Sequence, residues 1–561
     1  MNPITARPTS DVAAPAQASP RRRSLAYLTW AAPLVVTAAL GVFEIGVPQL
    51  WRDELATWSA ASRTLPQLWG MLHNIDAVLG PYYFGLHLWM AVFGDSPTAM
   101  RLPSVFAMAA TAAVVALIGR RLGGGTAGLA SGLVFALIPS VSRYAQEARP
   151  YAFATFFAAL ATLVFLRALD RPSWSRWAIY AVVLAAAGAA NLIALTVAAA
   201  HLVIVLWDFA QRTIRAGGDD TPGSGKALPG GRLAPEGSPL TLVLRFCVAV
   251  VAGAALVSPL LIAGHAQQGW QIGSQPTPGA AQLVGASGDL WQELFASVPA
   301  AAVIMLIALA SLVAVPDARR RVTCGYALAM AIAPVIAVWL ISHGPTSYWT
   351  FRYMLFTVVG WAIAAGLGTA YIAERAKRTR LARFTGAVSP RFAVAAVLVV
   401  VAGLAGIHDQ MAVRQNEAHN LWSYPEQPSN GTPVDYQAAA AVVAANARPG
   451  DRIVYETSDD NHYQVDTSLD YYLRGKSNQP APVFQAQTQV QANSLQPVEC
   501  NDPSACITGT PRIWVVYVDH LAPDPFTAVS DYGRGALLQT LGYQPQQTWQ
   551  LNGITVVLLN V

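Results

Sequence analysis

Residues 102–151 read LPSVFAMAATAAVVALIGRRLGGGTAGLASGLVFALIPSVSRYAQEARPY. Two apolar runs, about 102–119 and 126–141, flank the basic pair Arg120-Arg121 and lead into a compact polar motif. Each run approaches the roughly 20 residues that a helix needs to cross a bilayer. The stretch therefore reads as a hairpin of membrane helices with a basic tip and a charged, aromatic far end.

Working outward, further apolar runs lie at about 24–43, 150–166, 177–191, 193–209, 241–263, 294–315, 322–342, 353–373 and 392–408, giving eleven in all. The composition agrees: 54% of the residues are hydrophobic and only 12% charged, about half the charge of an average soluble domain. The basic clusters Arg120-Arg121, Arg167 to Arg176, the 210–240 loop, Arg319-Arg320-Arg321 and Glu374 to Arg383 all fall in alternate loops. The positive-inside rule then places the amino terminus in the cytoplasm. The formal charge of +5 is spent on these loops, so nucleic-acid binding is not expected. Arg greatly outnumbers Lys and Ala is abundant, which fits a GC-rich bacterial genome and a bacterial plasma-membrane location.

The expected fold is a polytopic α-helical membrane protein with about eleven transmembrane helices and a carboxyl-terminal external α/β domain. Residues 1–24, ending in Arg21-Arg22-Arg23, form a disordered cytoplasmic arm, and the run after it lacks a small-residue cleavage site, so it is an uncleaved helix. Residues 25–408 form the membrane domain, with an external loop at 44–100 and a low-complexity cytoplasmic linker at 210–240. Pro81 to Gly94 is apolar but too short to span comfortably, and reads as an interfacial or re-entrant helix. From 409 to 561 the chain turns polar, with helical periodicity at Tyr436 to Asn446 and strand patterns at Arg452 to Glu456, Ile513 to Val518 and Ile554 to Leu559. Cys500 and Cys506 bracket a short loop on the side where disulfides persist, and a bridge there is an open possibility.

Three polar motifs gather at the external face. Trp51-Arg52-Asp53-Glu54 follows the first run. Asp53 reads either as the cap of a helix from Glu54 to Ser62, with Trp51 and Trp58 in an interfacial belt, or as a general base that takes a proton from a hydroxyl nucleophile. Ser142 to Tyr151 carries Arg143, Tyr144, Glu147, Arg149 and Tyr151, and guanidinium and phenol donors suit a phosphate leaving group. Arg101 and Arg352, with Tyr353 beside it, lie at the same level. Any one of these arginines is more often a lipid headgroup anchor, but four with paired carboxylates favour a site. No Gly-rich phosphate loop follows a strand and no cytoplasmic segment can hold a sugar nucleotide, so an external enzyme needs a substrate delivered through the membrane.

The motifs WRDE at 51–54, GPYYFGLHLWMAVFGDSPTAMRLPS at 80–104, SRYAQEARPYA at 142–152 and FRYM at 351–354 resemble the protein mannosyltransferase and aminoarabinose transferase superfamily of GT-C glycosyltransferases. The resemblance is good over about 25–200 and loose beyond. It implies an inverting glycosyltransferase that moves a sugar, mannose or a pentose, from a polyprenyl-phosphate carrier to an external hydroxyl on a protein, glycolipid or glycan. By that likeness Asp53 matches the catalytic acidic position, with Glu54 its partner, and Arg101, Arg143 and Tyr144 match the donor site; from their shared external level Arg149 and Arg352 are expected at the donor phosphate too, and Glu147, Tyr82, Tyr151 and Tyr353 at the substrate. Glu147 and Arg149 stand where relatives carry an acidic pair, so no metal ligand is assigned and a need for a divalent cation stays open; no other cofactor is expected. The rival class is a secondary transporter or flippase, which usually carries ionisable groups at the bilayer midplane. His201 is the lone candidate here and reads as a hydrogen-bonded packing residue. The carboxyl domain is expected to select the acceptor, leaving donor binding to the motifs before it.

Overall fold

A computed structural model describes residues 20–216, 239–272, 275–286, 289–315, 317–376, 390–415, 434–456, 464–507, 509–518 and 524–561. Most of the amino-terminal arm, the core of the 210–240 linker, the 377–389 segment and Tyr463 lie outside these residues. The first apolar run is the helix Pro20–Val42. The next element, Pro97–Leu137, is 41 residues long, which would measure about 60 Å if straight and overshoot any bilayer. It instead folds back at Gly124, whose φ of +85° is open to glycine. The two arms then run side by side so closely that a Cβ on Gly119 would sit 2.4 Å from Ser131 Oγ, and one on Gly128 2.6 Å from the Ala116 carbonyl. This is the hairpin expected from the two runs around Arg120-Arg121. At its bend Arg121 pairs with Asp170, and Arg245 donates to the Pro172 carbonyl, so the basic loops meet at one end of the bundle.

Six helices are long and apolar enough to cross a membrane among the described residues, and five shorter apolar ones accompany them. The chain is a multi-pass membrane protein. The helix Val358–Ala376 is its central post, packed on the hairpin where a Cβ at Gly366 would fall 2.1 Å from Ser131 Oγ. The run at 241–263 is broken into Pro239–Leu256 and Ser258–Gln271, because Pro259 has no N–H to continue the ladder. Two other runs open with 3₁₀ turns, Leu192–Thr196 and Phe351–Thr357. His201 is buried, with Thr162 Oγ1 3.0 Å from Nε2 and the Tyr180 hydroxyl 2.9 Å from Nδ1, the satisfied packing role expected of it.

The segment after the first helix folds into the helices Arg52–Ala61, Leu65–Leu72 and Gly80–Phe93. Beyond the membrane helices come strands β1 (Arg452–Tyr455), β2 (Ala481–Pro482), β3 (Gln485–Gln487), β4 (Val498–Glu499), β5 (Arg512–Tyr517), β6 (Gln544–Leu551) and β7 (Ile554–Asn560). Five of them form a mixed sheet of order β2-β1-β5-β7-β6, with β1 parallel to β2 and β5, and β7 antiparallel to β5 and β6. Strands β5 and β7 are apolar on both faces because both faces are covered. Val515, Val557 and Phe484 fill one side. On the other, Ile453, Trp514, Val516, Val556 and the helix Tyr436–Asn446 pack with Leu50, Leu55, Leu86 and Met100. The sheet thus shares one core with the 44–100 segment. Cys500 and Cys506 are disulfide-bonded.

The expected boundary at 409 is displaced. The short helix Ile407–Ala412 packs with the membrane helices, Gln410 donating to the Leu137 carbonyl, and Arg414 donates to the Leu40 and Phe43 carbonyls. The sheet-bearing unit is described from Val434 onward.

Candidate active site

The helix Arg52–Ala61 begins with Trp51 at its N-cap, so Asp53 sits in the first turn, where a carboxylate also meets the positive end of the helix dipole, and is not the cap. Nor do the tryptophans form a belt: Trp51 is buried, and Trp58 donates to Asp95 Oδ2 and packs edge-on against Tyr471. Asp53 is 8% exposed. Arg52 Nε donates to its Oδ1 at 3.2 Å. Oδ2 receives no hydrogen bond from any described residue, although Arg149 Nη2 lies 3.7 Å away and Arg352 Nη2 3.8 Å away. Burial alone would raise the carboxyl's pKa; Arg149, Arg352 and Arg52 outweigh it and hold Asp53 well below the usual carboxylate range.

These groups border a cavity of about 630 Å³. Asp53, Arg149, Tyr151, Arg352 and Tyr353, all expected at a site, line it together. Its lining also includes the apolar Leu192, Ile193 and Leu195 of the first 3₁₀ turn with Leu261, Ile272 and Ile341. The two 3₁₀ turns thus supply opposite chemistries: apolar side chains from one, Arg352 and Tyr353 from the other. Arg149 is anchored by donating to Thr57 Oγ1 (3.2 Å) and the Tyr83 hydroxyl (3.4 Å).

Six expected site residues do not reach the cavity. Glu54 and Arg101 are fully buried behind the Asp53 helix. Arg101 Nε and Nη2 donate to the two Glu54 oxygens, Nη1 to the Ile45 and Pro48 carbonyls and Nη2 also to Gln49, while Ala148 N–H donates to Glu54 Oε1. Every donor of that guanidinium is in use, so Arg101 and Glu54 are engaged with each other and with the backbone and not with the cavity where they were expected. Arg143 Nη1 donates to Glu147 Oε2 at 2.9 Å and lies over the Trp51 ring, beside a cavity of about 10 Å³ shared with Glu54 and Arg101. Tyr144 is buried against Tyr151, and Tyr82, half-buried, packs against Phe153. Glu147 is 1% exposed, and burial pushes its carboxyl up to about 7 against the pull of Arg143. These six form a packed layer that positions Asp53 and Arg149.

The cavity also contains residues that sequence reasoning passed over. Asp76 precedes the apolar 81–94 stretch, Asn191 sits between two runs, and His265 and Gln268 continue the 241–263 run. Polar residues at run ends were the available signal. Gln464 and Gln496 arrive from the sheet-bearing unit. Among the described residues, no group of three or more His, Cys, Asp or Glu is placed to hold a metal ion.

The similarities to known proteins fall on the same elements. Residues 80–217 match the family described as dolichyl-phosphate-mannose-protein mannosyltransferase. The fold is that of ArnT from Cupriavidus metallidurans: its apo structure aligns with a TM-score of 0.55 at 15% identity, covering 96% of this chain and 98% of that one. The chain thus shares the ArnT fold along nearly its whole length. A second ArnT structure, bound to undecaprenyl phosphate, aligns over the same shares with a TM-score of 0.52 at 14% identity. No curated protein sequence is significantly similar to the chain. Within this fold, the helix after the first apolar run carries the carboxylate and the loop before Tyr151 carries the arginine that faces it.

Proposed function

We propose that this protein is an inverting glycosyltransferase that moves a sugar, mannose or a pentose, from a polyprenyl-phosphate carrier to a hydroxyl of a protein, glycolipid or glycan at the outer face of a bacterial plasma membrane. In this arrangement the amino terminus is cytoplasmic and the sheet-bearing unit extracytoplasmic. The observation that carries the reading is Asp53 Oδ2, a shielded carboxylate oxygen with no hydrogen bond from the described residues, held beside two guanidiniums on a cavity whose lining also includes a set of apolar side chains. Those apolar side chains suit an isoprenoid tail, and the structure of ArnT with undecaprenyl phosphate supports a lipid of that class.

The acceptor oxygen attacks the anomeric carbon as the bond from that carbon to the phosphate oxygen breaks, and the phosphate departs with the electron pair. The acceptor proton passes to Asp53. Arg149 and Arg352 face both the carboxylate and the space for the phosphate. As the leaving phosphate gains charge it draws the guanidiniums toward itself, and the proton affinity of Asp53 rises with the progress of the reaction.

Purified protein in lipid nanodiscs, given radiolabelled undecaprenyl-phosphate mannose, glucose or arabinose, tests the reading. Loss of label from one lipid into an envelope fraction, absent with an Asp53→Asn variant, is the expected result. No transfer from any of them, together with unaltered envelope glycans in a deletion strain, overturns it.

A further inference from the structure

The cavity holds a second carboxylate that the transfer step above does not use. Asp76 adopts a left-handed backbone with φ of +59°, a conformation that Asp tolerates better than most residues. Its loop is clamped from the membrane side: Gln267 Oε1 accepts the Ala77 N–H at 2.9 Å and Gln267 Nε2 donates to the Leu72 carbonyl at 3.1 Å. Tyr83, fully buried, donates its hydroxyl to Asp76 Oδ2 at 2.7 Å and receives Arg149 Nη1 at 3.4 Å. A chain of contacts thus runs from Asp76 through Tyr83 and Arg149 to Asp53. The carboxylate is fixed at its backbone and its side chain, and it borders the space where the substrate of the Asp53 site would lie.

We propose that Asp76, oriented by Tyr83, reads the transferred sugar: its carboxylate accepts hydrogen bonds from sugar hydroxyls while Arg149, on the far side of Tyr83, takes the phosphate. The substrate class is a neutral sugar with free adjacent hydroxyls on a lipid phosphate, and the proposal rests on the glycosyl-transfer reading of the same cavity. Burial pushes the Asp76 carboxyl up, with Arg149 and Tyr83 pulling against it. Asp53, held by three arginines, is the base, so the two carboxylates divide the work by environment.

The test measures equilibrium binding of undecaprenyl phosphate and of undecaprenyl-phosphate mannose, glucose and arabinose to the full chain in nanodiscs. The wild type is expected to bind one of the sugar lipids more tightly than the bare phosphate. Asp76→Asn should lose about tenfold in affinity for that sugar lipid, as for a hydrogen bond to a charged group, and bind undecaprenyl phosphate within twofold of wild type. Tyr83→Phe should show the same pattern more weakly. The proposal is overturned if Asp76→Asn binds the sugar lipid like the wild type, if it loses the bare phosphate equally, or if no sugar lipid outbinds that phosphate. Failure of the wild type to bind undecaprenyl phosphate at all sinks the underlying reading with it, and is distinct from the other three results.

Discussion

Arg101 and Glu54 meet as a two-pronged ion pair, Nε to Oε1 at 2.8 Å and Nη2 to Oε2 at 2.6 Å, with both side chains inaccessible to solvent. The pair joins the start of the Pro97–Leu137 hairpin to the helix that bears Asp53. Breaking such a pair leaves a buried charge uncompensated and costs about 3–5 kcal/mol. Arg101→Ala should therefore lower the melting temperature sharply, and protein that does fold should bind undecaprenyl phosphate normally. Normal stability with weakened phosphate binding would return Arg101 to the donor site.

Asp53→Asn should reduce transfer by about 10²- to 10⁴-fold, the usual worth of a general base, while donor binding is retained. The measurement is single-turnover transfer beside lipid-phosphate binding on the same preparation. Turnover close to wild type would leave Asp53 as a helix-terminal charge only.

The acid limb of the pH–rate profile should respond to Arg352. In the wild type, three arginines hold Asp53 ionised well into acid, so activity does not fall through its protonation near neutrality. Arg352→Gln removes one of them and leaves the cost of burial less opposed, which raises the Asp53 pKa. Activity of the variant should then fail at higher pH than that of the wild type as the medium is acidified. Parallel profiles would show that Arg352 does not act on Asp53.

Glu147 gives a pH dependence of stability with the opposite sense. Its carboxyl, ordinarily near 4.5, is pushed up to about 7 by burial in the fold. The folded protein holds that proton where the unfolded chain has released it, so the contribution is favourable below about 4.5 and is lost as pH rises through about 7. The difference is on the order of 3 kcal/mol. Glu147→Gln should flatten this part of the curve, gaining relative stability at pH 8 over pH 5. Melting curves that keep equal slopes for both proteins would contradict it.

Much of this could be read from the residues, for physical reasons that differ from element to element. Apolar runs report helices directly, and β5 and β7 were legible because strands covered on both faces are continuous in Val, Ile and Leu. Asp53, Arg149 and Arg352 stood out as charges at the ends of apolar runs. The same signal also raised Arg101, Arg143 and Glu54, since sequence does not distinguish a charge facing a cavity from one neutralised inside a packed layer. Asp76 was missed because a single acid in a short loop carries no pattern; only the fold brings it beside Arg149. The breaks at Val257 and at the two 3₁₀ turns depend on a proline and on tertiary packing, which hydropathy averages away.

Gln464, held at φ of +55°, and Gln496 bring the sheet-bearing unit to the cavity wall. Gln464→Ala should raise KM for the acceptor about three- to tenfold, as for a lost hydrogen bond, with KM for the donor unchanged. The reverse split would place the donor against this unit. Removing the unit altogether is a poor test, because Leu50, Leu55 and Met100 would lose their cover.

That shared core also fixes an order of events in biogenesis. The strands that close over Leu50 and Leu55 lie between residues 452 and 560, and a ribosome delivers them only after every apolar helix has been made. The helix bearing Asp53 emerges near the start of synthesis but obtains its final packing near the end. A chain interrupted in translation or insertion therefore has its membrane helices but not the cover of the helix that bears Asp53, so the packing around the cavity is completed in a single late step and not helix by helix.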